Sequence, residues 1–289
     1  MFVITGVTGQ VGGRIARALL AEGVSVRAVL RDAAKASTWA GLGCETALAT
    51  MDDAAALADA FAGADAVFVL LPPVFDPTPG YAETRANVAA LVTALQQGRP
   101  QRVVALSTIG AQATQDSLLT QLQIMERAFE ALPMPVAFLR AAWFMENTAW
   151  DIDGARSLGV VSSFLQPLDK PVPMVATADV AATAVRMLRE VWEGHRVVEL
   201  EGPRRITPLA LAAALGRVLG RDVVAQPVPR ATWDALFRSQ GMANPEPRIR
   251  MLDGFNDGWI EFEAGCEASL KGTTELETVL RGLVAPANA

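Results

Sequence analysis

Three glycines recur at every third position in the run Gly6-Val7-Thr8-Gly9-Gln10-Val11-Gly12. The chemistry that such spacing serves is the holding of a diphosphate. One glycine lets the chain turn sharply, one lets backbone N–H groups approach the anion, and one lets a helix pack closely on a strand. Thr8, Gln10 and Val11 share the turn and are cofactor-lining candidates with Gly6, Gly9 and Gly12. A second chemistry is offered further on, by Arg31-Asp32. At such a strand end an acid pairs with a ribose 2′-hydroxyl, while an arginine accommodates a 2′-phosphate. Arg31 holds the place, so NADP(H) is the preferred reading. NAD(H) stays possible through Asp32.

These residues need elements to position them. Phe2–Thr5 reads as a strand buried on both faces, Arg14–Leu20 as a helix and Val26–Leu30 as a second strand. Together they make the β-turn-α-β unit that turns a weak glycine pattern into a specific one. The alternation continues with strands at 44–48, 66–71, 102–106 and 136–140, and helices at 33–40, 53–61, 82–97 and 118–131. The fold class that follows is α/β, a Rossmann-type doubly wound parallel sheet with a smaller C-terminal substrate-capping region. Its ligand lies beyond the carboxyl ends of the strands. That places Leu70, Leu71 and Pro72, at the end of the fourth strand, along the cofactor, and Ser107 at the mouth of the fifth.

Residues 1–150 are assigned to the dinucleotide-binding domain and 151–289 to a mixed α/β cap, with about 177–201 returning to the sheet. Residues 141–174 read as irregular. Thr177-Ala178-Asp179 reads as the cap of a helix over 180–191, and further helices are expected at 207–219, 230–240 and 246–262, with strands at 195–201 and 223–228. The turn-rich stretch Met242–Pro247 is either part of a lid or a plain surface loop.

Composition narrows the function classes. The net charge of −6 leaves no footprint for direct nucleic-acid contact. No apolar run approaches the ~18–20 residues of a membrane span, and no signal-like segment precedes the first strand, so a cytoplasmic protein acting on a small molecule is expected. The two cysteines, Cys44 and Cys266, form no ligand cluster, and the single histidine, His195, cannot assemble a metal site. No metal is expected.

At this point the chain resembles the NmrA-like group of atypical short-chain dehydrogenases. The resemblance is carried by Gly6-x-x-Gly9-x-x-Gly12, Leu30-Arg31-Asp32, Leu106-Ser107 and Leu139-Arg140-Ala141-Ala142-Trp143-Phe144-Met145-Glu146-Asn147. It extends to Asp179-Val180-Ala181 and Glu201-Gly202-Pro203 with Thr207-Pro208. It implies either an NAD(P)H:quinone oxidoreductase or a redox-sensing regulator that binds the dinucleotide without turning it over and signals through a protein partner. The chain departs from the pattern in two places. Ala141 and Ala142 replace a proline and glycine at the nicotinamide end, where Ala141 is taken to line the cofactor, and Thr50 replaces an aspartate near the adenine.

Short-chain dehydrogenases ordinarily take their proton from a tyrosine with a lysine four residues later in the helix after the fifth strand. The only tyrosine, Tyr81, precedes that strand and reads as packing or lid. The helix over 118–131 holds no tyrosine, lysine or histidine, so the lysine used by isoflavone-reductase-like relatives is absent too. Unactivated ketones and sugar epimerisation are thereby disfavoured. A quinone is an intrinsically good acceptor, needing positioning and a hydrogen-bond donor for the developing oxyanion. Ser107 and Asn147 are the catalytic candidates, each with a plainer alternative as turn residue or helix-end cap. Trp143 and Phe144, with Asn147, are the substrate-side candidates; an aromatic pair here also suits a core.

Overall fold

In a computed structural model, which describes residues 1–285, the alternation is realised almost strand for strand. In chain order the elements are β1 (Phe2–Ile4), α1 (Gln10–Ala21), β2 (Val26–Leu30), α2 (Ala36–Gly41), β3 (Glu45–Leu48), α3 (Ala54–Phe61), β4 (Ala66–Leu70), α4 (Ala82–Gly98), β5 (Val103–Thr108), α5 (Thr120–Phe129) and β6 (Val136–Ala141). There follow β7 (Trp143–Phe144), a 3-10 segment Met145–Asp151, α6 (Ile152–Leu158), β8 (Val160–Ser163), β9 (Met174–Val175), α7 (Thr177–Arg189) and β10 (His195–Glu201). The chain ends through α8 (Pro208–Leu219), β11 (Val224–Pro227), α9 (Trp233–Ser239), α10 (Glu246–Asp257), β12 (Leu270–Lys271) and α11 (Leu276–Val284). No helix of the described residues is long and apolar enough to cross a membrane.

Two units organise these elements. The first comprises Met1–Ala111, Leu119–Arg140 and Val180–Val198. Its sheet runs in the order β10-β6-β5-β4-β1-β2-β3, with β1 parallel to both β2 and β4, β2 to β3 and β4 to β5. The sequence direction of strand order reverses between β1 and β4, which is where a doubly wound sheet opens a crevice for its ligand. The strands earn their central places by being apolar on both faces: β1 is buried throughout, and β4 is buried except at Leu70. One core lies under α3, α4 and α5 and includes Val67, Val69, Phe61, Leu91, Leu95, Met125, Phe129 and Phe138. Each such fully buried side chain stabilises the fold by about 1.5–3 kcal/mol.

Helix α1 starts at Gln10, not at Arg14 as its apolar periodicity suggests. Gly12 and Gly13 therefore sit inside the helix, against their low propensity, because the strand presses on that turn. A Cβ on Gly12 would lie 2.5 Å from Gly6 O, and one on Gly13 would lie 2.7 Å from Val7 O. Tertiary packing overrides propensity here.

The second unit comprises Gln112–Leu118, Ala141–Asp179 and the chain from Glu199 onward. Residues 141–174, expected to be irregular, supply β7, β8 and β9. β7 pairs in parallel with β9, and β8 with β11. Strands of two residues carry no periodicity and exist only because a distant partner meets them. Helix α10 stops at Asp257 instead of running to 262, because Gly258 adopts φ +91° and Ile260 N–H folds back onto Gly254 O at 3.1 Å. Beyond 262, where no element was expected, β12 adds to the end of β10 through Leu200–Leu270 and Glu201–Lys271. That join is held by the buried Glu201 carboxylate, which accepts from Ser269 Oγ (2.7 Å), Arg205 Nε (3.0 Å) and Lys271.

Candidate active site

The first unit carries a cradle made almost wholly of backbone. Thr5, fully buried, finishes β1 by donating its hydroxyl to Phe68 O (3.1 Å) and accepting from Leu70 N–H (2.8 Å). This latch fixes the exit of β1 beside the exit of β4. Gly6 then turns at φ +65°, a conformation that strains other residues, and a Cβ there would lie 3.4 Å from Leu70. Gly6 O accepts from Gly9 N–H at 2.9 Å, and Gly9 becomes the N-cap of α1 with no side-chain cap of its own.

Helix α1 thus opens with an N-cap glycine that supplies no side-chain hydrogen bond, and with no acidic residue in its first turn. Its amides and positive dipole end favour an anion. Thr8, Gly9 and Gln10 are exposed around this opening, while Val11 and Gly12 are buried beneath it. Val11 therefore contributes its backbone, its side chain belonging to the core. The glycine at 12 permits the close approach of helix to strand, since a methyl group there would collide with Thr5 O and Gly6 O alike. These residues fit a diphosphate.

Around the cradle, Leu70 is half-buried, Leu71 buried and Pro72 half-buried at the end of β4. Arg31 is exposed at the end of β2, with no ion pair among the described residues. Its neighbour Asp32 caps the turn that follows by accepting from Ala34 N–H at 2.9 Å. The Arg31 guanidinium is therefore the charged group at this strand end whose side chain has no such engagement among the described residues.

Ser107, at the end of β5, is buried, and its hydroxyl donates to Glu126 Oε1 at 2.5 Å. Glu126 on α5 also accepts from Arg140 Nε (3.0 Å) and Nη2 (2.7 Å). In this structure the proton of the Ser107 hydroxyl is thus engaged by Glu126. The network escaped the sequence reading, although both charges stand inside apolar patterns: Glu126 in the stripe Leu122, Met125, Phe129, and Arg140 at the end of Val136-Ala137-Phe138-Leu139. Opposite charges on two buried faces are the signal that marks them as partners.

Ala141, Trp143, Phe144 and Asn147 belong to the second unit. Ala141 is buried at the end of β6. Trp143 is half-buried and meets Phe255 edge-on, ring centroids 5.2 Å apart. Glu146 accepts from the Thr177 N–H at 3.0 Å and from its hydroxyl at 2.5 Å. This carboxylate caps α7, which is why the helix starts at Thr177, ahead of the expected start at 180. Asn147 is half-buried, and its amide makes no hydrogen bond among the described residues. Asp151, closing the 3-10 segment, is pushed up to about 6 by burial, with no partner to hold its charge among the described residues. Tyr81, in the first unit, is buried at φ 60° ahead of α4.

Comparison with known proteins follows the same lines. The model of the NmrA-like family matches residues 1–247. The chain is 34% identical over 225 residues to the (4-alkanoyl-5-oxo-2,5-dihydrofuran-3-yl)methyl phosphate reductase of Streptomyces griseus, spanning 77% of this chain and 75% of that protein. It is 29% identical over 274 residues to an NAD(P)H azoreductase of Xenophilus azovorans, spanning 88% and 91%. Among solved structures, the NADPH-dependent quinone oxidoreductase of Escherichia coli, complexed with NADPH, matches the fold with a TM-score of 0.81 at 23% identity, over 99% of this chain and 100% of that one.

Proposed function

This chain belongs to the NmrA-like family, and on that premise we propose that it is an NAD(P)H-dependent oxidoreductase, using NADPH by preference and reducing quinone-like or similarly activated small molecules. The observation that carries the reading is the uncapped, acid-free start of α1 behind Gly6, Gly9 and Gly12. The relatives with reductase names support the class of reaction.

The bound nicotinamide supplies a hydride. This chain's own residues bind, orient and hydrogen-bond. The α1 amides would hold the diphosphate, and Arg31, whose planar fork suits phosphate, would hold the 2′-phosphate. Leu70, Leu71 and Pro72 give the cofactor an apolar wall. Asn147 offers an amide N–H to a substrate oxygen that gains charge. Ser107 is held in one orientation by Glu126, which Arg140 holds in turn. With no tyrosine–lysine pair, this machinery suits acceptors that need little acid assistance.

Steady-state oxidation of NADPH across a panel of benzoquinones and naphthoquinones tests the reading. Turnover well above the buffer rate, with NADPH preferred to NADH, supports it. Tight NADPH binding without turnover of any quinone overturns it and leaves a dinucleotide sensor, which requires unequal affinities for the oxidised and reduced forms.

A further inference from the structure

Helix α10 carries an arginine that no carboxylate pairs with among the described residues. Arg248 lies in its first turn, half-buried. Its guanidinium stacks over the Phe237 ring at 4.3 Å, and its Nη1 sits 3.8 Å from Met242 Sδ. No carboxylate pairs with it among the described residues. Burial pushes this guanidinium below the ordinary arginine range.

A neighbour shows what this unit does with an arginine that serves structure alone. Arg230 also stacks on an aromatic ring, that of Trp233 at 4.9 Å, but both arms of its fork are taken by Asp253 at 2.6 and 2.7 Å. Arg248 has the stacking without the carboxylate. A first helical turn is moreover the wrong end for an uncompensated cation, because the dipole there is positive. Desolvating such a charge costs free energy that an incoming anion returns.

The position of Arg248 on its helix supplies the second half of the inference. Phe255 follows seven residues later, two turns on and on the same face, about 10 Å along the axis. Phe255 is the ring that meets Trp143. One face of α10 therefore has an aromatic pair at its far end and an unpaired guanidinium fork at its start, all within the second unit.

We propose that Arg248 is an anion anchor for the substrate, so that the preferred substrate is a flat, reducible ring system bearing a carboxylate, sulfonate or phosphate arm. The ring lies beside Trp143, and the arm reaches along α10 to the free edge of the guanidinium. The substrate role of this site rests on the reductase reading above; the anion site itself does not.

Calorimetric titration of the full chain, saturated with NADP+, separates the two. The probes are naphthalene sulfonate and neutral naphthol, matched in ring and differing in charge. The expected result is roughly tenfold or greater preference for the sulfonate, the size of one charge-assisted hydrogen-bonded contact. Arg248→Gln abolishes that preference and leaves the affinity for NADPH unchanged, and Arg248→Lys restores part of it. In the unmodified protein, inorganic phosphate weakens sulfonate binding and leaves naphthol binding untouched, which keeps the test independent of whether a variant folds. Equal affinity for the two probes, a preference that survives Arg248→Gln, or indifference to phosphate overturns the proposal. Sulfonate binding through Arg248 in a protein that reduces no quinone would sink the reductase reading and spare the anchor. Brisk reduction of neutral quinones without any sulfonate preference would do the reverse.

Discussion

In the first unit the glycines of the cradle act through what they lack, and the buried charges near it are fully paired. In the second, Asn147, Asp151 and Arg248 carry polar or charged side chains that have no hydrogen-bonding or ionic partner of the kind their groups call for among the described residues. Gly12 admits Gly6 O where a methyl would clash, while Glu126 satisfies Ser107 and Arg140 together. By contrast Asp151 and Arg248 are partly desolvated groups without counter-ions among the described residues. The difference teaches where each unit invests stability. A backbone cradle can be closed and rigid, whereas the proposed substrate-side groups Asn147 and Arg248 stand unsatisfied, as groups awaiting a ligand would.

The sharpest way to break this contrast is to unpair the paired charges. Glu126→Ala leaves a buried guanidinium and a buried hydroxyl without their acceptor, and is expected to lower unfolding free energy by about 3–5 kcal/mol in urea titration. Gly12→Ala comes next. Its Cβ would sit 2.5 Å from Gly6 O, so about 1–3 kcal/mol of stability is lost, and NADPH affinity falls at least roughly tenfold because the cradle must open. Gly9→Ala, whose Cβ would meet Gly6 O only at 3.3 Å, is expected to be milder on stability in the same melts.

Asp151→Asn sharpens the comparison by its opposite sign. The carboxyl of the folded protein is raised to about 6 from 3.8, so its charged form is the penalised one. The stability it allows is fully present below about pH 4 and is lost as pH rises through about 6. The asparagine variant escapes that loss. It is expected to match the parent near pH 3.5 and to exceed it by up to about 3 kcal/mol above pH 7, read from urea midpoints across the range. A variant no more stable than the parent above pH 7 would mean that Asp151 has a partner after all. The smallest expected effect is Arg31→Gln, which shifts the NADPH-to-NADH affinity ratio about tenfold toward NADH, with unchanged melting.

What could be read in advance follows the same division. Strands such as β1 and β4 are short, apolar and buried on both faces, and their residues announce it. The glycine turn is legible for the same reason: a backbone requirement restricts residue type at fixed spacing. The start of α1 was misplaced because Gly12 and Gly13 are poor helix formers held helical by contact with Gly6 and Val7. β7 and β9 pair across thirty-odd residues of chain, and a two-residue strand has no pattern to recognise. Glu126 and Arg140 were visible as residues, yet their partnership is a tertiary fact. Ser107 was found as a site candidate, but the direction of its proton depends on Glu126. Arg248 fell inside the expected helix 246–262 without being singled out, since an arginine missing its counter-ion looks, in sequence, like any other.

Rapid mixing of the protein–NADPH complex with a naphthoquinone tests the central claim most directly. The account predicts that the reduced-nicotinamide absorbance of the bound cofactor decays in a single exponential, with one hydroquinone formed per NADPH consumed. Bound NADPH that remains reduced, decaying no faster than NADPH and quinone mixed in buffer, would contradict it.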